Sequence, residues 1–230
     1  MLMALVTSAS AQPADNTIAL PDDPRLGPVR PALDKIVAEL THDGLPVHPI
    51  VDKVQEGLAK GVAPEAIRDA AVTRGRHLLE ANRLLRTYRP DDAPFPLVLA
   101  LAHARGADLA WVVLTPLMES DVPVATITRS VETLTDLSAR GYPDREAAAV
   151  VLTVAAREPN AIDRLLAGLE AIRHRRGLPA RTALEQLQQQ LAIDHDSFET
   201  VVSRVADVPA EPERPRKATK AKRRRHGSSP

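Results

Sequence analysis

The sequence predicts an all-α protein whose helices form antiparallel hairpins, packed as a bundle or as a short helical-repeat superhelix. Three observations carry that expectation. Apolar residues recur at the helical period of 3.6, not the strand period of 2, through nearly the whole interior of the chain. Cation-glycine pairs, mostly followed by proline, punctuate those runs. Aromatic residues make up only 2%, so the core has to be built from Leu, Ile, Val and Ala, which suits packing between helices.

The elements follow in order. Met1 to Val6 is apolar, small residues come next, and Ala9-Ser10-Ala11 precedes Gln12, the small-x-small pattern read by signal peptidase. Residues 1–11 are therefore expected to be a signal peptide cut after Ala11, although no Lys or Arg stands before the apolar stretch. Residues 12–30 carry Pro13, Pro21, Pro24 and Pro28 with little apolar periodicity, which predicts an extended linker. An all-helical domain is expected over 31–207. Its apolar rhythm runs through Leu33, Ile36 and Leu40, then Ile50, Val54 and Leu58, then Ile67, Ala71, Leu78 and Leu85. It resumes with Ile127, Val131 and Leu134, then Ala147, Val150 and Val154, then Ile162, Leu165 and Leu169, and last Leu184, Leu187 and Leu191. Residues 208–230 read as a disordered basic tail.

Lys60-Gly61, Arg105-Gly106, Arg140-Gly141 and Arg176-Gly177 each put a cation where the helix dipole is negative and a glycine where the chain turns left-handed. Val62, Tyr142 and Leu178 follow as the apolar contact of a Schellman turn, and Pro64, Pro143 and Pro179 open the next helix. The last three glycines are spaced at the length of a two-helix unit, which suggests a repeat.

Residues 94–118 are the most apolar stretch, yet His103, Arg105, Gly106 and Asp108 occupy its middle. An Arg or Asp at the centre of a bilayer costs about 2.5 to 3.5 kcal/mol, so the segment reads as a buried hairpin and not a membrane span. The turn is expected at Gly106, with Asp108 near the start of the second helix and Trp111 packed inside.

The chain has no cysteine, which excludes thiolate nucleophiles, disulfides and cysteine-held metals. No Gly-x-Ser-x-Gly, P-loop, dinucleotide fingerprint or zinc-peptidase histidine pair occurs, so neither an enzyme activity nor a cofactor is expected. His103, Arg105 and Asp108 are near enough in sequence to meet at one hairpin mouth, but a dipole-complementing helix end and a cap account for them more simply. A pocket grouping Glu119 with His103 and Arg105 would reopen the case for an enzyme. Asp194, His195 and Asp196 are potential metal ligands, with a capping box from Asp196 to Glu199 as the simpler role. Arg68, Arg74, Arg76, His77, Arg83, Arg86 and Arg89 form a basic stripe read as a solvent face, with Arg76 spaced to pair Glu80.

Charge is the clearest sign of a partner. Arg214, Arg216, Lys217, Lys220, Lys222, Arg223, Arg224 and Arg225 form an acid-free cluster, leaving 22 of the 30 cations to face all 30 carboxylates before it. A body of about −8 thus carries a tail of +8. Such a cluster binds polyanions by counterion release. The expected function is an exported, periplasmic or secreted, envelope-associated and non-enzymatic helical interaction or scaffold protein whose tail contacts an anionic envelope polymer or lipid surface, with a protein partner for the helical domain. The alternative is a cytoplasmic protein that uses the tail on nucleic acid.

Overall fold

The computed structural model describes residues 19–207. Within them the chain is all-helical, with no strand. Its ten helices are α1 (Arg30–His42), α2 (His48–Ala59), α3 (Pro64–Tyr88), α4 (Phe95–Gly106), α5 (Trp111–Glu119), α6 (Val124–Ala139), α7 (Asp144–Arg157), α8 (Ile162–Arg176), α9 (Ala180–Ile193) and α10 (Phe198–Asp207). The expected signal peptide, the first part of the expected linker and all eight tail cations lie outside the described residues.

The helical unit begins before residue 31. Pro24–Val29 forms a 3₁₀ helix, begun by Asp23, whose carboxylate accepts from the Arg25 backbone N–H at 2.9 Å. Leu20, Leu26 and Val29 are buried in the common core, so residues 20–30 are part of the packed body and not an extended linker. Pro24 at the start of the 3₁₀ helix and Pro31 in the first turn of α1 lack an N–H that would have no partner there, so these prolines are compatible with folding.

Five helix ends share one hydrogen-bond pattern. The N–H groups of Leu45, Val62, Leu109, Tyr142 and Leu178 each bond the carbonyl five residues back, on Leu40, Gly57, Ala104, Leu137 and Arg173, at 2.8 to 3.2 Å. These are Schellman closures. Gly61, Gly141 and Gly177 take the left-handed position as expected, and Gly44, which the cation-glycine pattern does not include, does so as well. The closure at Leu109 corrects the reading of the apolar segment. Gly106 is the last residue of α4, and the left-handed residue is Asp108, at φ 64°. Asp108 does not cap α5; the N-cap is Ala110, which makes no side-chain cap bond. A short polar side chain is among the few that tolerate this backbone conformation. Trp111 opens α5 and is only partly buried, with the Arg105 guanidinium 5.8 Å from its ring centroid. Pro143 and Pro179 sit at N-caps, one place before the helices they were expected to open.

One aliphatic core runs through the molecule, from Leu26 and Leu33 to Val201 and Val205. Packing follows a simple rule from α3 onward: α3 meets α5, α4 meets α6, α5 meets α7, α6 meets α8, α7 meets α9 and α8 meets α10. Chain neighbours α3 and α4, α6 and α7, and α8 and α9 also pack together. Among the described residues no helix is long and apolar enough to cross a membrane.

Candidate binding cleft

A cleft of about 650 Å³ opens where α2, α3 and α4 meet. Three histidines from three helices line it: His48 at the start of α2, His77 on α3 and His103 near the end of α4. Arg74 lies one turn before His77 on the same helix, and Asp52 lies one turn after His48. The sequence dictates this gathering through the apolar residues opposite. Ile50 and Val54 bury one face of α2, Ala71 and Leu78 one face of α3, and Leu97, Leu101 and Ala104 one face of α4, so the polar residues between them are left to share the opening.

The groups in the cleft differ in how well they are partnered. Glu56 is bridged by Lys53 at 3.0 Å and by Lys60, and these two ammonium groups hold its carboxyl down at about 2. Lys53 is thereby committed. His48 packs edge-on against Phe95 at 5.5 Å between centroids. Arg74 is half-buried, and burial pushes its guanidinium below the ordinary value with no carboxylate or hydrogen bond opposing the shift. Gly106 forms part of the wall. A Cβ there would stand 3.6 Å from His77 Nδ1, an ordinary contact that would narrow the opening.

The residues singled out from sequence are distributed differently than their spacing suggests. His103 joins the cleft, together with Arg74 and His77 from the α3 stripe. Arg105 turns away from it, donating to the Leu109 carbonyl at 3.4 Å and lying over Trp111, while Asp108 serves the turn. Glu119 is not among the residues lining the cleft, so the grouping of Glu119, His103 and Arg105 does not form. The rest of the α3 stripe is heterogeneous: Arg68 pairs with Asp69 at 2.8 Å, Arg86 bonds Asn82, and Arg76 forms no ion pair with Glu80 among the described residues.

Arg89 is not a surface cation either. It reaches the carbonyls of Met118, Ser120 and Val122 where α5 ends. At the other end of the molecule Arg157 does the same for Leu191, Asp194 and Asp196 after α9. Its neighbour Glu158 accepts from the Phe198 N–H at 2.9 Å, at the start of α10. The "IDHDSFE" stretch is thus clamped from α7. Asp194 and Asp196 both bind Arg204, and Ser197, not Asp196, caps α10 by accepting from the Thr200 N–H at 3.4 Å. No group of three or more His, Asp or Glu able to hold a metal ion exists among the described residues.

Spacing alone could not reveal the cleft, because its histidines are 26 to 55 residues apart in sequence and none repeats at a motif interval. Compared with known protein families, with characterised proteins and with solved structures, the chain matches none.

Proposed function

We propose that this is an exported, envelope-associated, non-enzymatic helical interaction or scaffold protein, built of stacked helical hairpins and held to an anionic surface by its basic tail. The contact, from α3 onward, of each helix with the helix two places further along is the observation that carries the scaffold reading. Helices so connected form two layers, α4, α6, α8 and α10 in one and α3, α5, α7 and α9 in the other. Stacks of this kind bury a continuous core while presenting an extended surface to a partner. The Arg89 and Arg157 clamps recur one layer-step apart from their targets, which supports a repeated unit despite weak sequence identity between units.

The cluster from Arg214 to Arg225 supplies the surface attraction, with eight cations and no acid. Release of condensed counterions makes such binding steeply salt-dependent. Full-length protein is expected to be retained on heparin at low salt and released steeply as salt rises, whereas a chain ending at Asp207 is expected to flow through. Equal retention of both forms would move the binding surface to the helical body. The same cluster suits nucleic-acid phosphate if the chain keeps residues 1–11 in the cytoplasm, which is the competing reading.

A further inference from the structure

The geometry points to the α2–α3–α4 cleft as a binding site for a small phosphate monoester that also carries hydroxyl groups. Arg74 carries the argument. It is half-buried in the cleft lining and forms no ion pair among the described residues, whereas Lys53 in the same lining is held by Glu56, so Arg74 is the cation there that is free to take an anion. The guanidinium fork matches two phosphate oxygens, which a spherical anion cannot exploit. His48, His77 and His103 line the same opening from three sides and offer imidazole N–H donors to the remaining oxygens. The acids present set the rest of the ligand. Glu56 is already occupied by Lys53 and Lys60, which leaves Asp52 as the acceptor for a hydroxyl of the esterified portion. At about 650 Å³ the opening suits a ligand of this size and is within the ordinary range for small-molecule sites.

This inference is independent of the tail and of the scaffold reading, because every residue in it belongs to α2, α3 or α4. The test follows the histidine ring resonances of the full-length protein by NMR while glycerol 1-phosphate is added at constant ionic strength. Saturable shifts are expected at His48, His77 and His103, with His195, exposed beyond α9, unmoved. Arg74→Gln is expected to weaken the saturation at least ten-fold. Gly106→Ala, which adds one methyl beside His77 at a position of ordinary helical backbone, is expected to weaken it while leaving the helical circular dichroism intact. Removing residues after Asp207 is expected to change nothing in this titration. Shifts that never saturate, that sodium chloride reproduces, or that survive unchanged in both variants would overturn the assignment.

Discussion

Gly75 and Tyr142 show how single positions hold the helices together. On α3, a Cβ at Gly75 would fall 2.2 Å from Cγ1 of Ile36 and 2.8 Å from its Cδ1, so α1 can lie this close only because the side chain is missing. Gly75→Ala is therefore expected to destabilise the fold by about 1 to 3 kcal/mol, read by urea unfolding, even though alanine is the better helix former. Wild-type stability in that variant would mean that α1 moves aside without cost. Tyr142 is the apolar contact of the α6 closure, 2% exposed, and its hydroxyl donates to Glu170 at 3.1 Å beneath the Arg173 guanidinium. Burial pushes its phenol up to about 12, the Glu170 carboxylate adds to the shift and Arg173 opposes it. A folded value above the unfolded one means that this group's contribution is complete below about pH 10 and lost as pH rises towards 12. An alkaline titration of tyrosinate absorbance should therefore show a step near pH 12 that Tyr142→Phe removes. Both tyrosines titrating together with a midpoint near pH 10 would contradict it.

At the level of helices, the ends were more legible in the sequence than the contacts between them. Three of the four predicted glycine stops take the left-handed turn, which glycine adopts without a Cβ clash. The fourth shifted to Asp108 because an aspartate can occupy the same region, and Gly106 stays in helical backbone as the last residue of α4. Residues 20–30 resemble a linker in sequence for a related reason: their proline density hides the three apolar anchors Leu20, Leu26 and Val29. Long-range clamps leave no periodic trace. Arg157 ends α7 in an ordinary way, yet it holds the carbonyls that close α9 while Glu158 receives the first N–H of α10. Arg157→Met keeps much of the aliphatic stem and removes those bonds, and is expected to cost about 1.5 to 3 kcal/mol because the donor is charged. Hydrogen exchange should quicken at the end of α9 and the start of α10 before it changes in α4. Uniform protection across all helices in that variant would show that the clamp is dispensable.

Over the whole molecule, the fold class followed from the 3.6 period and the small number of aromatics, because both constrain how a core can be filled. The cleft did not, since it depends on which polar residues three separate helices leave facing one another. The charge division is a property of the full chain: a body of about −8 joined to eight cations between Arg214 and Arg225. Its meaning depends on the compartment, because lipid headgroups and acidic wall polymers are the polyanions outside an inner membrane and nucleic acids are those within. The central claim is that the protein is exported to such a surface. Intact mass measured on the protein recovered from fractionated cells tests it most directly. The account predicts a species beginning at Gln12 in the envelope or the medium. A species retaining residues 1–11 in the cytoplasm would contradict it and would make nucleic acid the partner of the tail.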